Sequence, residues 1–127
     1  MARQLTKKNE AKSTGSVLTN NKDKKFMICI SEPLDNKFNF KKLNPEAIKS
    51  FQRFVDKTVG ENLTISKVEQ LYLRTKGKPK RIEMVNGVKR EIYHFGKDMN
   101  PFRIFGYYKV DGYFNITKID PNHKFDK

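Results

Sequence analysis

The stretch FRIFGYYKVDGYFNITKI, residues 102–119, contains two runs rich in aromatic and β-branched residues on either side of Asp111-Gly112. Such residues favour strands, and Asp-Gly between two strand-like runs is a strong hairpin signal. Alternation in the first run predicts one mostly apolar face and one face that mixes two aromatic rings with two cations. The apolar face comprises Phe102, Ile104, Gly106, Tyr108 and Val110, and the mixed face comprises Arg103, Phe105, Tyr107 and Lys109.

The same pattern occurs just before this stretch. The runs RIEMV (81–85) and VKREIYHF (88–95) flank Asn86-Gly87, which predicts another hairpin. Near the start of the chain, KFMICISE (25–32) predicts a first strand.

Two amphipathic segments lie between the first strand and the hairpins. In NPEAIKSFQRFVDKTVG (44–60), Asn44 is a suitable N-cap, Pro45 suits the first helical position and Gly60 favours a stop. In TISKVEQLYLR (64–74), Ser66 and Glu69 have capping-box spacing. The order β–α–α–β–β–β–β therefore predicts an α+β fold, with a helical hairpin packed on a mostly antiparallel sheet of four to five strands.

Charge indicates the class of partner. The 127 residues carry a formal net charge of +13, which attracts polyanions, and nucleic acid is the first candidate. Residues 1–24 are polar and lysine-rich, so we expect a disordered basic tail followed by one domain over residues 25–127. The sequence has no secretory leader and no long apolar run, so we expect a cytoplasmic protein.

The inventory of reactive residues narrows the chemistry. The single cysteine, Cys29, alternates with apolar neighbours and is expected to be a buried structural thiol. There is no glycine-rich phosphate loop and no clustered set of metal ligands, so neither a cofactor nor a metal is predicted. Cleavage of RNA without a metal stays feasible, because the 2′-hydroxyl supplies the nucleophile and the protein supplies a base, an acid and cations.

The candidate residues for this chemistry lie in the last two hairpins and just beyond them. His123 follows a turn-prone run after the last predicted strand and suits proton transfer, while Lys124 could offset charge on the phosphate. Each candidate also has a simpler interpretation. His123 could be an ordinary exposed loop histidine, and His94 could be a half-buried structural histidine. The mixed face of the predicted strand could be an ordinary solvated sheet face. The predicted RNA-binding residues are Arg81, Arg90, Tyr93, His94, Tyr107 and Lys109.

The segment FRIFGYYKVDGYFNITKIDPNHKF (102–125) resembles the closing strands of the RelE/ParE-type toxin superfamily. In that superfamily, a strand with an arginine next to aliphatic and tyrosine residues is followed by a hairpin, an apolar strand and a basic or histidine-containing end. The predicted element order is similar as well, and the resemblance covers about residues 25–126.

The resemblance implies a RelE-like fold and a small basic endoribonuclease that cuts messenger RNA at the ribosome and is neutralised by an acidic antitoxin protein. It implies that Arg103 stabilises the scissile phosphate and that His123 and Lys124 belong to the catalytic or substrate-contacting stretch. Arg81 and Arg90 are both candidates for a second phosphate-binding cation. The alternatives are a non-catalytic nucleic-acid-binding or host-interacting protein, possibly phage-encoded, and a gyrase-directed toxin of the ParE kind.

Overall fold

The computed structural model describes residues 22–74, 81–97 and 99–122, and these residues form two α-helices and five strands. The helices are α1 (Pro45–Thr58) and α2 (Ile65–Tyr72), and a 3₁₀ turn spans Phe40–Lys42. The strands are β1 (Ile28–Cys29), β2 (Arg81–Val85), β3 (Val88–Gly96), β4 (Arg103–Tyr108) and β5 (Phe114–Asp120). The predicted order of elements is confirmed, although β1 covers only two residues of the predicted run 25–32.

The five strands form one mixed sheet in the order β1-β5-β4-β3-β2. Strand β1 runs parallel to β5, and each of the other neighbouring pairs is antiparallel. The α+β class is therefore confirmed, and the parallel pair at one edge makes the sheet mixed.

Strand β3 has two halves with different partners. Residues 88–92 pair with β2, whereas residues 93–96 pair with β4. Beside the second half, on the side of β2, Leu73 forms a bridge with Phe95, and the Arg74 amide donates to the His94 carbonyl at 3.1 Å. The residues that follow α2 thus occupy the place along β3 that β2 does not reach.

A bulge in β5 changes which residues face which side of the sheet. The register shifts by one residue between Phe105, which is opposite Lys118, and Gly106, which is opposite Ile116. Thr117 is the additional residue, so Ile116 and Ile119 face the same core although they are three positions apart. At the bulge, a Cβ on Gly106 would overlap the carbonyl oxygen of Asn115, so only glycine fits there.

The two hairpin turns differ in type. Asn86 and Gly87 have φ values of 51° and 82°, which matches a two-residue turn of type I′. In the second turn only Gly112 has a positive φ, and the Lys109 amide donates to the Tyr113 carbonyl across a loop of three residues. The hairpin predicted at Asp111-Gly112 is therefore present, but its loop differs from the two-residue turn at Asn86-Gly87.

One of the two predicted helix starts needs a correction. Asn44 caps α1 as predicted, and its side chain accepts from the Ala47 amide at 2.8 Å. The N-cap of α2 is Thr64 rather than a capping box at Ser66, because Thr64 has extended backbone and its hydroxyl accepts from the Lys67 amide. Ser66 lies one residue inside the helix.

The main core lies between one face of the sheet and the two helices. Ala47 and Phe54 of α1 and Ile65 and Val68 of α2 pack with aromatic and aliphatic residues of β3, β4 and β5. A smaller cluster, built from strand residues Val85, Ile92, Phe105 and Tyr107, lies on the opposite face of the sheet. The predicted apolar face of β4 is thus the face that packs with the helices.

The end of the predicted tail makes specific contacts. The carbonyls of Lys22 and Lys24 accept from the Ser66 and Ile65 amides, and the Lys22 ammonium pairs with Glu69. Residues 22–24, assigned to the tail from their composition, therefore lie against the start of α2, and residues 1–21 lie outside the described residues. In the described part of the chain, no helix has the length and apolar character needed to span a membrane.

Candidate nucleic-acid interface

Strand register brings most of the predicted site residues to the face of the sheet that carries the smaller cluster. We call this surface the basic face and define it by Arg81, Arg90, His94, Arg103 and Lys118. Arg81 of β2 is opposite Ile92 of β3, and His94 of β3 is opposite Phe105 of β4. Across β4 and β5, Phe105 is opposite Lys118, Tyr107 is opposite Asn115, and Arg103 is opposite Asp120.

Arg103 lies at the start of β4 and is held by the backbone around it. Its side chain is buried, with 6% of its surface exposed, and its Nη1 donates to the carbonyl oxygens of Asn100 and Phe102. The guanidinium lies across Gly96 of β3, where a Cβ atom would come within 2.7 Å of both Nε and Nη1. The absence of a side chain at Gly96 therefore makes room for Arg103.

His94 and Phe105 form a stacked pair in the middle of the basic face. Their ring centroids are 4.8 Å apart and the ring planes differ by 10°. Lys118 flanks Phe105 on the other side, and its ammonium donates to Glu83 at 2.8 Å. Across the sheet, Phe105 therefore has a cation on one side and an imidazole on the other.

Tyr107 joins the aromatic and charged parts of this face. The guanidinium carbon of Arg90 lies 4.4 Å from the centre of the Tyr107 ring, and the Tyr107 hydroxyl donates to Glu32 at 2.9 Å. Burial, followed by the hydrogen bond to Glu32, raises the pKa of Tyr107, so its phenol stays protonated near neutral pH. The buried Nε of Arg90 has no hydrogen-bond acceptor among the described residues.

Acidic side chains lie beside the cations of the basic face. Glu83 lies 2.8 Å from the Lys118 ammonium and 3.7 Å from the Arg81 Nε, so it offsets charge on both. Arg90 has Glu83 as its strand neighbour, and Arg103 has Asp120. Each of these four cations therefore has a carboxylate as its ion-pair partner or as its strand neighbour.

Of the predicted RNA-binding residues, Tyr93 lies on the other side of the sheet, and Lys109 lies beyond the last residue of β4. Tyr93 faces the helices, where its ring packs edge-on against Tyr108 with centroids 5.2 Å apart, and burial raises its pKa to about 12. Lys109 lies in the turn after β4, where its charge partly opposes the rise that burial causes in the pKa of Cys29. The Tyr93 side chain therefore does not belong to the basic face.

The two catalytic candidates after β5 cannot be placed. His123 and Lys124 lie outside the described residues. The last described residues form a turn in which the Asn122 amide donates to the Asp120 side chain at 3.2 Å. Because Asp120 is the strand neighbour of Arg103, the chain leaves the sheet beside that arginine.

Arg103, Phe105 and Tyr107 share one face of β4, as predicted, but this face is buried rather than exposed to solvent. Phe105, Tyr107 and Arg103 are all buried, which argues against the alternative of an ordinary exposed surface. His94 is also more deeply buried than a half-buried histidine, with 5% of its surface exposed.

Three residues at this face were not predicted from the sequence: Lys118, Glu83 and Glu32. Simple alternation along β5 places Lys118 on the same side as Ile116, and only the bulge at Thr117 turns it to the basic face. Glu83 could have been found from the Asn86-Gly87 hairpin, whose register places it opposite Arg90. Glu32 reaches Tyr107 from a segment 75 positions away, for which no local pattern exists.

Metal chemistry has no candidate ligand set in this part of the chain. Within residues 22–74, 81–97 and 99–122, no group of three or more His, Cys, Asp or Glu side chains is arranged to hold a metal ion. The basic face carries cations, an imidazole, a phenol and the carboxylates of Glu83 and Asp120. No protein-family model, curated protein or solved structure matches the chain.

Proposed function

We propose that this protein binds RNA on the basic face and acts as a RelE-like messenger-RNA endoribonuclease at the ribosome, as a toxin paired with an acidic antitoxin protein. One observation carries the proposal: strand register gathers five predicted site residues on one face of the sheet, namely Arg81, Arg90, His94, Arg103 and Tyr107. The net charge of +13 supports a polyanionic partner.

Arg103 is the group best suited to stabilise charge on a phosphate. Its guanidinium is held by two backbone carbonyls, so its position is fixed before a substrate arrives. A preorganised cation of this kind contributes on the order of 10²–10³ in rate in other enzymes. In the proposed reaction, the 2′-hydroxyl attacks the adjacent phosphorus, the 5′-oxygen of the next nucleotide leaves, and His123 transfers a proton.

The length of the basic face indicates how the RNA would lie. Arg90 is six residues from Gly96, the strand neighbour of Arg103, which corresponds to about 20 Å along β3. The two arginines therefore contact different phosphates. The strand neighbours of Arg103 are Gly96 and Asp120, and His94 and Lys118 are each two residues from one of them. These two side chains are therefore the nearest cationic or titratable groups that could contact the same phosphate as Arg103.

The test is cleavage of a defined messenger RNA by the full chain, with and without ribosomes. We compare the wild-type protein with Arg103→Ala, Arg103→Lys and His123→Ala. Lys67→Ala is the control, because Lys67 is an exposed cation on α2 outside the basic face. Circular dichroism and thermal unfolding of each variant separate loss of activity from loss of fold.

We expect Arg103→Ala to lower the cleavage rate by about 10²–10³ at every pH, and Arg103→Lys to lower it less, because lysine keeps the charge but loses the planar guanidinium. His123→Ala should remove a limb of the pH–rate profile near neutrality. RNA binding without cleavage under any condition would favour the non-catalytic binder. A wild-type protein that neither cleaves nor binds RNA would refute the proposal.

A further inference from the structure

A groove runs along α1 on the helix side of the sheet. It consists of two adjoining clefts with volumes of about 260 and 270 Å³. The two clefts share Ser50 and Arg53 of α1 and Asn100 and Phe102 of the segment before β4, so they form one continuous surface. We call this surface the α1 groove.

The floor of the first cleft is apolar and largely aromatic. It is formed by Phe54, Phe95, Phe102 and Ile104, all of which belong to the main core. Tyr72 closes one side, with its ring packed edge-on against Phe54 at a centroid distance of 5.3 Å. These packed rings give a preformed apolar surface, which needs little ordering when a partner binds.

The rim of the same cleft carries charge of one sign. Arg53, Lys57 and Lys97 line it, and none of its lining residues is acidic. Lys57 has an exposed partner in Glu61 at 3.5 Å, and the Lys97 ammonium lies 5.9 Å from the centre of the Tyr72 ring. Among the described residues, no carboxylate lies within ion-pair distance of Arg53 or Lys97.

We infer that the α1 groove docks an acidic peptide segment of a protein partner, which places one bulky apolar side chain in the first cleft and its carboxylates on the rim. Charge complementarity selects an anionic segment at the first cleft, whereas Glu46 and Arg53 offset each other's charge in the second. The apolar floor of the first cleft selects a hydrocarbon or aromatic side chain. RNA suits this floor less well, because the polar edges of a base would lose hydrogen bonds with water there.

The shape of the groove distinguishes a peptide from a compact small molecule. The 14 residues of α1 span about 21 Å, and the two clefts lie along this helix from Asn44 to Lys57. One cleft of this volume holds a single large side chain, and the second continues the track for the residues that follow. This inference does not depend on ribonuclease activity.

The experiment measures fluorescence anisotropy with the full chain and labelled 12-residue peptides. The peptides are rich in Asp and Glu and differ only at the central position, which is Phe, Leu, Trp or Ala. The groove variant is Arg53→Glu with Lys97→Glu. The matched control is Lys49→Glu with Lys67→Glu, which changes the net charge equally at exposed helix positions that line neither cleft.

We expect at least one peptide with Phe, Leu or Trp to bind the wild type about tenfold or more tightly than the Ala peptide, as is typical of a buried anchor. The groove variant should lose this affinity, whereas the control should retain most of it at moderate salt. Thermal unfolding of both double variants verifies that each is folded.

Three outcomes would overturn the inference. Equal binding of all four peptides would show that no side chain enters the cleft. Equal losses in the groove variant and the control would show diffuse charge attraction only. The third outcome is that a short single-stranded RNA binds the groove variant more weakly than the control, while the peptides bind both equally. RNA would then be the occupant of the groove instead.

Discussion

Replacing Gly96 with alanine tests whether the bare backbone of β3 positions Arg103. A Cβ at Gly96 would lie 2.7 Å from both Nε and Nη1 of Arg103, and closer still to its Cδ. The guanidinium would therefore have to move away from the carbonyls of Asn100 and Phe102. Inserting a methyl group into a packed site costs about 1–3 kcal/mol, and hydrogen bonds from a charged donor contribute about 1.5–3 kcal/mol.

The clash involves a flexible side chain rather than backbone, so we expect a loss in the lower part of that range. Gly96→Ala should reduce the free energy of unfolding by about 1–2 kcal/mol, which lowers the melting temperature by roughly 4–8 °C for a domain of this size. Urea unfolding at neutral pH measures the loss. In the proposed function, RNA cleavage should fall by more than the loss of folded protein accounts for.

A double-mutant cycle makes this prediction specific. With Arg103→Ala as the background, no side chain lies over Gly96, and the further cost of Gly96→Ala should fall below about 0.5 kcal/mol. The coupling between the two sites should thus be about 1–2 kcal/mol. An equal cost of Gly96→Ala in both backgrounds would refute the view that Gly96 makes room for Arg103.

Three other predictions concern alkaline stability, the tail and RNA binding. The pKa of Tyr93 is about 12 in the folded protein and near 10 in the unfolded chain, so the stability that its protonated phenol contributes is complete below pH 10 and is lost as pH rises toward 12. Between pH 9 and 11, the free energy of unfolding should therefore fall by about 1.4 kcal/mol less in Tyr93→Phe than in the wild type. An equal fall in both proteins would contradict the burial of this phenol. Deleting residues 1–24 should destabilise the fold by about 1–3 kcal/mol more than deleting residues 1–21. Only the longer deletion removes the Lys22–Glu69 ion pair and the two carbonyls that accept hydrogen bonds from the first amides of α2. Equal melting temperatures of the two deletion variants would contradict this prediction. Arg90→Ala should reduce the slope of log affinity against log salt for single-stranded RNA by about 0.7, whereas a slope equal to that of the wild type would remove Arg90 from the interface.

The elements that the sequence predicted well are those with local causes. The alternation in β4 correctly separates Ile104 from Arg103, because the additional residue of the bulge lies in β5 and not in β4. Asn86-Gly87 forms the expected turn because both residues readily adopt positive φ. Asn44 caps α1 because its short side chain reaches the amide three residues ahead.

The features that the sequence did not predict depend on distant contacts or on a choice between similar residues. Thr64 and Ser66 are both good caps, and the strand-like bridge between Lys25 and Thr64 favours extended backbone at Thr64. The bulge at Thr117 has no signal of its own, since threonine suits a regular strand equally well. It nevertheless decides that Lys118 belongs to the candidate site.

The position of β1 beside β5 has a consequence for how the protein forms during synthesis. Cys29 and Asn115 are strand neighbours although 86 positions separate them along the chain. At typical elongation rates of about 5–20 residues per second, β1 emerges about 4–17 s before its partner is made. Throughout that interval its neighbour Phe26, which is completely buried in the finished fold, has no β5 to cover it. The pairing that completes this edge of the sheet can therefore form only after β5 has been synthesised.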